Sequence, residues 1–304
     1  MRTVYLGTSE FAATVLERLE GSPHSPALVV SRPDARRGRG RRPGPPPVAE
    51  AARALGIELY QPERVGDDEA RARIAAVEPD AVVICAYGAL IREPLLSSYP
   101  MFNVHPSLLP RWRGAAPIER AIEAGDQWTG VCIMRPTAEL DAGPVCLLEA
   151  ERIRPDDDYR SLSARLAHRA GELLVRALDE RPDFVPQPEE GVTLASKVEP
   201  VERELTADRT AGELERRVRA LSHLGTYVTA PAGERLGVSA SRLGSGAPPA
   251  VTVPGALAVH EGRLLFGAAD GPLELVEVRP PGGRTMDAAA YLRGHGTAIA
   301  RVAA

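Results

Sequence analysis

The chain has 304 residues, which is long enough for two domains. Hydrophobic residues make up 44% of it and charged residues 26%, ordinary values for a soluble globular protein, but aromatic residues make up only 4%, so Leu, Val, Ile and Ala must build the core. The formal net charge of −4 says nothing about nucleic acid by itself, and the distribution of the charge says more.

No apolar run reaches membrane-spanning length. The first residues have the pattern of a strand, so we expect no signal peptide. The three cysteines, Cys85, Cys132 and Cys146, lie in apolar surroundings with no CxxC pair and no metal-type spacing. We therefore expect reduced, buried thiols in a cytoplasmic protein. Nothing in the sequence demands an oligomer, and we expect a monomer.

Strand-like and helix-like segments alternate through the first half of the chain, a pattern typical of a parallel sheet with crossover helices. The predicted strands are 3–6, 27–30, 57–60, 81–86, 101–105 and 131–134, and the predicted helices are 11–19, 49–55, 70–77 and 116–124. The sequence therefore predicts an α/β, Rossmann-like domain with a mostly parallel sheet over residues 1–182.

The residue pattern of the chain changes after a long amphipathic helix predicted at 159–178. Three prolines within 181–188, followed by acidic residues, indicate a linker over 183–204. A basic amphipathic helix at 211–221 follows, and from residue 227 short apolar runs between Gly and Pro turns are typical of a small β-barrel or sandwich. A short helix at 287–292 ends this second domain, predicted over residues 205–304.

The first strand ends in Gly7-Thr8-Ser9-Glu10, at the turn where dinucleotide-binding proteins contact a pyrophosphate. Such a site needs a G-x-G-x-x-G run so that the backbone can approach the phosphates, and this turn has one glycine. We predict a Rossmann-like fold that binds no nicotinamide and no flavin.

An amide, an imidazole and a carboxylate stand at two turns of the predicted sheet. Asn103 and His105 alternate by two on a strand and so point to the same side, and Asp141 lies in a second turn. Each alone has a plain alternative, a structural histidine or a turn aspartate. Together they can polarise a carbonyl and manage a proton, the equipment of acyl transfer. A metal site from His105 and Asp141 would lack further ligands, so no metal is predicted.

The segment around these residues is highly specific. Residues 102–118, which read FNVHPSLLPRWRGAAPI, and Leu140–Gly143, which reads LDAG, make the chain resemble the 10-formyltetrahydrofolate-dependent formyltransferases. Weaker matches to that family cover 5–12, 32–34, 86–88, 281–286 and 291–294. The resemblance implies a formyltransferase domain, an OB-like C-terminal β-barrel that helps to hold tRNA, and formyl transfer to the methionine of initiator tRNA.

The resemblance also assigns residues. It implies that Asn103, His105 and Asp141 are catalytic, with the choice of His105 or Asp141 as formal base left open. It implies a folate site formed by Ser107, Leu108, Leu109 and Pro110 together with Tyr87, Gly88 and Leu90. For Leu108 and Leu109 the alternative is plain core packing.

Residues 32–42 carry six arginines in eleven positions, where a short turn would suffice. The alternative is a solvated surface, but glycines break any helix here, and a flexible loop of one charge sign suits phosphate binding. The resemblance agrees and implies tRNA contacts by Arg36, Arg37, Arg39, Arg41, Arg42 and the only lysine, Lys197, with support from Arg203, Arg209, Arg216, Arg217 and Arg219.

Two other functions remain open at this point. A formyltransferase acting on an amino sugar nucleotide would share the three catalytic side chains but would need neither the arginine loop nor the barrel. A non-catalytic RNA-binding protein would need no intact Asn103, His105 and Asp141.

Overall fold

The structure is a computed structural model that describes residues 1–37, 42–230, 233–244, 253–295 and 300–301. The chain divides into two compact units. The first unit comprises Met1–Pro117, Trp128–Arg152 and Leu162–Ala195, and the second comprises Ile118–Gln127, Ile153–Ser161 and Ser196–Ala304. The division predicted from sequence, 1–182, 183–204 and 205–304, stays a prediction.

Strands and helices alternate through the first part of the chain, as the sequence predicts. In order they are β1 Thr3–Gly7, α1 Glu10–Glu20, β2 Pro26–Val30, β3 Ala35–Arg37, β4 Arg42–Gly44, α2 Pro47–Leu55, β5 Leu59–Tyr60, α3 Asp68–Ala76, β6 Ala81–Cys85, α4 Leu95–Ser98, β7 Met101–His105, β8 Arg113–Gly114, α5 Pro117–Ala124, β9 Trp128–Met134, β10 Val145–Arg152, α6 Tyr159–Glu180 and β11 Leu194–Ala195.

The main sheet of the first unit has the order β10-β9-β7-β6-β1-β2-β5. The five strands β5, β2, β1, β6 and β7 are parallel, and β9 and β10 are antiparallel. Side chains of β1 and β6 are fully buried because helices cover such a sheet on both faces. The predicted Rossmann-like fold with a mostly parallel sheet is confirmed.

Strand β10 is one that the sequence analysis did not predict. Its second half carries Glu149, Glu151 and Arg152, which interrupt the apolar run. The structure explains these charges, because Glu151 is buried against α6 and pairs with Arg165 at 3.1 Å and with Arg169. Only tertiary contacts reveal such a strand, since its charged residues have their partners on another element.

The second unit ends in an antiparallel sheet. Its elements after residue 195 are a 3₁₀ helix Pro200–Arg203, α7 Ala211–Leu221, a 3₁₀ turn Ser222–Leu224, β12 Thr226–Thr229, β13 Arg235–Leu243, β14 Leu257–His260, β15 Arg263–Gly267, β16 Pro272–Arg279, β17 Met286–Asp287, α8 Ala288–His295 and β18 Ala300–Arg301. Helix α7 begins with a capping box in which Thr210 and Glu213 bond to each other's backbone N–H.

The C-terminal sheet has the order β12-β13-β16-β15-β14-β18, with β17 beside β16. All its pairs are antiparallel except β14 with β18. Leu214 and Val218 of α7 pack with Val238, Phe266 and Leu275 in one core. The predicted barrel-like domain is confirmed as this antiparallel sheet, in which no pairing between described strands closes a barrel. Residues 251 and 252, which belong to one of the short apolar runs predicted after residue 227, lie outside the described residues.

In the described part of the chain, no helix is both long enough and apolar enough to cross a membrane.

Candidate active site

A cavity of about 540 Å³ opens in the first unit where β6 and β7 end. Its walls include Ile84, Ala86 to Leu90, Asn103 to Pro106, and Leu140 and Asp141 of the loop between β9 and β10. The three residues predicted to be catalytic therefore share one cavity, although Asp141 is 36 positions after His105. The volume lies within the range typical of small-molecule sites.

His105 is 4% exposed and held from two sides. Its Nε2 lies 2.9 Å from the carbonyl oxygen of Trp112, and its Nδ1 lies 3.6 Å from Oδ2 of Asp141. A carbonyl can only accept a hydrogen bond, so Nε2 carries the proton in this contact. In the neutral ring the lone pair is then on Nδ1, on the side that faces Asp141.

Asp141 sits on strained backbone. Its φ is +49°, in the left-handed region that non-glycine residues avoid. Its Oδ2 accepts a hydrogen bond from the Gly114 N–H at 2.9 Å, so the carboxylate is tied to the loop that follows His105. Left-handed residues of this kind persist where surrounding contacts fix them, and they cluster at functional sites.

Position 143, the last of the LDAG motif, has room only for glycine. The loop between β9 and β10 is narrow at its base, where the Arg135 N–H donates to the Pro144 carbonyl at 2.9 Å. A Cβ at Gly143 would lie 1.8 Å from the Arg135 carbonyl oxygen, which no real contact allows. The missing side chain lets the loop close and brings Asp141 back to His105.

Asn103 is only weakly engaged in the structure. Its Nδ2 donates to the thioether sulfur of Met134 at 3.3 Å, and sulfur is a weak acceptor. The amide can therefore turn toward a stronger acceptor in the cavity at little cost.

The residues predicted to contact folate separate into two groups. Tyr87, Gly88 and Leu90 line the cavity, and Leu90 is 63% exposed. Ser107, Leu108, Leu109 and Pro110 are not among its lining residues. Ser107 is fully buried and donates its hydroxyl to the Arg111 carbonyl at 2.6 Å, and Leu109 packs with Cys132 and Met134. Direct folate contact by these four residues stays a prediction.

The residues predicted to contact tRNA are described only in part. The backbones of Arg36, Arg37 and Arg42 belong to the antiparallel pair β3–β4, in which Arg37 faces Arg42. Arg39 and Arg41 lie outside the described residues. Lys197 is exposed in the second unit.

Among the supporting arginines, some already have acidic partners. Arg217 is 7% exposed and pairs with Glu123 at 2.9 Å, while Arg219 pairs with Glu215 at 2.7 Å within α7. These two guanidinium groups therefore stabilise the second unit. The sequence alone could not distinguish them from arginines that have no acidic partner.

The segment 185–195 contacts the site, which the sequence did not predict. Residues 185–195, read as linker, follow α6 and pack against the loop 110–116: the Trp112 N–H donates to Thr193 Oγ1 at 2.9 Å, and β11 pairs with β8. Gln187 donates to the Asp141 carbonyl at 2.8 Å. The sequence did contain one signal for this segment, the run Pro186-Gln187-Pro188. Its two prolines restrict the backbone to extended conformations, whereas a flexible linker needs no such restriction.

Two family models match the chain. One, described as formyl transferase, matches residues 1–178, and the other, described as formyl transferase C-terminal domain, matches residues 197–296. The methionyl-tRNA formyltransferase of Ruegeria pomeroyi is 39% identical over 298 residues, which is 97% of each chain. That of Halorhodospira halophila is 42% identical over 304 residues, 96% of each chain.

Those matches decide membership. The chain belongs to the formyl transferase family, and the two relatives named above, each similar to it over almost its whole length, are methionyl-tRNA formyltransferases. HypX from Aquifex aeolicus in complex with tetrahydrofolic acid is similar in fold, with a TM-score of 0.64 at 18% identity over 99% of this chain. The chain spans about half the length of HypX, 48% of it, and at this identity the likeness concerns the fold alone.

Proposed function

We propose that the chain transfers the formyl group of 10-formyltetrahydrofolate to the α-amino group of methionine on initiator tRNA. The observation that carries the proposal is the convergence of Asn103, His105 and Asp141 on one cavity. The full-length similarity to methionyl-tRNA formyltransferases supports this acceptor over an amino sugar nucleotide, and it supports an enzyme over a non-catalytic RNA-binding protein.

The reaction needs one bond made, one bond broken and one proton moved. The amine lone pair attacks the formyl carbon, and the carbonyl π electrons move to oxygen to give a tetrahedral oxyanion. The oxyanion then re-forms the carbonyl as the bond to the folate N10 breaks. The proton lost by the amine replaces the formyl group on N10, so the products are the formylated amine and tetrahydrofolate.

Asn103 stabilises the oxyanion in this proposal. Its amide N–H groups are donors, and in the structure one of them is spent on the weak acceptor Met134 Sδ at 3.3 Å. A donor aimed at the position where negative charge develops typically contributes about 10²–10³ in rate. The Asn103 amide can therefore give up its weak hydrogen bond to sulfur and donate to the oxyanion instead.

His105 and Asp141 handle the proton. Because Nε2 of His105 donates to the Trp112 carbonyl, only Nδ1 is open to take a proton from the attacking amine. The Asp141 carboxylate, 3.6 Å away, stabilises the imidazolium that results. These contacts support His105 Nδ1 as the proton acceptor and an orienting, charge-stabilising role for Asp141.

The cavity fits the folate co-substrate. A pteridine is flat and apolar on its faces, with hydrogen-bonding groups on its edge. Phe11, Ile84 and Leu140 supply apolar walls, and residues 86–90 of the turn after β6 also line the cavity. That turn has Ala86 at φ +42° and Gly88 at φ +80°, so its peptide groups do not continue the strand pairing. Such apolar walls with a few convergent polar groups are typical of small-molecule sites.

The tRNA contacts belong to the arginine segment and Lys197. Arginine side chains form bidentate contacts with phosphate, and the segment 32–42 concentrates six of them in an acidic protein. We place the enzyme in the cytoplasm, as a monomer, where charged tRNA and folate are available.

One assay tests the function. The protein is incubated with labelled 10-formyltetrahydrofolate and either methionyl initiator tRNA or an amino sugar nucleotide. Labelled formyl-methionyl-tRNA is the expected product. Formylated sugar as the main product, or tRNA binding with no turnover of either acceptor, would contradict the proposal.

A further inference from the structure

Gln187 joins the two loops that carry the site. Its Nε2 donates to the Asp141 carbonyl at 2.8 Å and to the Gly143 carbonyl at 2.7 Å. Both hydrogens of the side-chain amide are therefore used on the turn that contains Asp141. These bonds hold the turn on both sides of Ala142.

The other end of the same amide reaches the loop that follows His105. Oε1 of Gln187 accepts from Arg113 Nε at 3.0 Å and from Arg113 Nη2 at 2.8 Å. Arg113 stands between Trp112, whose carbonyl accepts from His105 Nε2, and Gly114, whose N–H donates to Asp141 Oδ2. Gln187 thus links the guanidinium of Arg113, which lies between these two backbone partners, with the backbone of the Asp141 turn.

Gln187 is itself held in place. Prolines at 186 and 188 restrict the backbone on both sides of it to extended conformations. Two residues earlier, Val185 and Val145 exchange both backbone hydrogen bonds at 2.9 Å. The amide is therefore presented from a fixed strand-like segment, so the backbone contributes little to the entropy cost of placing it.

We propose that Gln187 is a positioning residue: it fixes the strained Asp141 turn against the Trp112–Gly114 loop and so sets the approach of the Asp141 carboxylate to the His105 ring. The inference rests on the proposed function, because it takes His105 and Asp141 to act on the transferred formyl group. Asp141 has φ +49°, a conformation that surrounding contacts must impose, and Gln187 holds both the Asp141 carbonyl and the Gly143 carbonyl two residues later.

Two substitutions separate positioning from stability. Gln187→Glu keeps the size and the acceptor for Arg113 but has no hydrogen to donate to the two carbonyls. Gln187→Ala removes both ends of the link. Gln127→Glu and Gln127→Ala are the matched controls, since Gln127 is exposed and belongs to the second unit.

The measurements are steady-state kcat, KM for 10-formyltetrahydrofolate and the thermal unfolding temperature, all on the full chain. We expect both Gln187 variants to lose about 10- to 100-fold in kcat, with KM within about twofold and Gln187→Glu unfolding within a few degrees of Gln127→Glu. A group that only supported the fold would lower the amount of folded enzyme without changing kcat per folded molecule.

Unchanged kcat in Gln187→Glu, or a loss confined to KM, would overturn the positioning role. The parent protein is assayed first with methionyl-tRNA. If it does not turn over, the proposed function fails; if it does and Gln187→Glu matches it, only the role of Gln187 fails.

Discussion

Asn103 gives the sharpest test at the scale of single residues. It is the only asparagine among the 304 residues, so labelling asparagine alone with ¹⁵N yields one side-chain amide to follow by NMR. We predict that this signal shifts when a folate analogue such as 5-formyltetrahydrofolate binds. We also predict that Asn103→Ala lowers kcat by about 10²–10³, because one oxyanion donor is lost.

The control for Asn103→Ala is its affinity for tRNA, which should stay within about twofold of the parent value. Loss of tRNA affinity together with kcat would mean that the substitution disturbs the fold rather than the oxyanion. A kcat equal to that of the parent would remove Asn103 from the mechanism.

The three cysteines give a second residue-scale prediction. Burial raises the pKa of the Cys85 and Cys132 thiols to about 12 and that of the half-buried Cys146 thiol to about 11. Since the thiolate is the reactive species, all three should resist Ellman's reagent near neutral pH. We expect slow labelling, first at Cys146, and labelling of all three thiols in guanidinium chloride.

Because the folded pKa values are raised, thiol reactivity should increase steadily as the pH rises toward 11. The variant Cys146→Ser serves as the control and should leave no early-reacting thiol. Rapid reaction of two or more native thiols at pH 7 would contradict the burial of Cys85 and Cys132.

At the scale of elements, the hairpin loop between β9 and β10 depends on Gly143. A methyl group there would meet the Arg135 carbonyl oxygen at 1.8 Å, so Gly143→Ala must displace backbone. We predict a loss of about 1–3 kcal/mol in the free energy of unfolding, measured by urea denaturation, and a fall in kcat because Asp141 moves with the loop.

The matched control is Gly66→Ala, where the added methyl group meets no atom within 4 Å. Its unfolding free energy should lie within about 0.5 kcal/mol of the parent value, and its kcat should be unchanged. Equal stability of the two alanine variants would show that the loop relaxes without strain.

At the scale of the whole molecule, the proposed tRNA binding depends on how charge is distributed along the chain. Replacing Arg36, Arg37, Arg39, Arg41 and Arg42 with Ala should weaken tRNA binding and flatten its salt dependence. Each lost phosphate contact should lower the slope of log K against log salt by about 1. Filter binding at several salt concentrations measures both quantities.

A control with the same change in net charge replaces five exposed arginines outside the segment: Arg2, Arg92, Arg154, Arg160 and Arg181. It should keep the parent slope, because long-range charge alone makes no phosphate contact. If the two sets change the slope equally, the segment has no special part in tRNA binding.

The sequence predicts most elements of this fold because their signals are local. β7 and α7 have the bounds that periodicity gives them, and the Gly125 turn ends α5 where glycine allows φ +76°. It did not predict β10, whose glutamates look exposed until α6 supplies Arg165 and Arg169. The sequence also indicated that 185–195 belongs to a linker. Prolines occur both in stiff extended segments and in linkers, so their presence alone does not separate the two.

The sequence alone determined the family through its motifs. It also predicted that Asn103 and His105 share a face, because side chains spaced by two on a strand point to the same side. The tertiary structure decided how they work together. The β9–β10 loop, which closes tightly at Gly143, brings Asp141 to His105. The fold also directs the Nε2 proton of His105 to the Trp112 carbonyl and places Gln187 between this loop and the loop 110–116. The contacts of Asp141 with His105 and with Gln187 join residues 36 and 46 positions apart, so they depend on packing, which no local pattern of residues encodes.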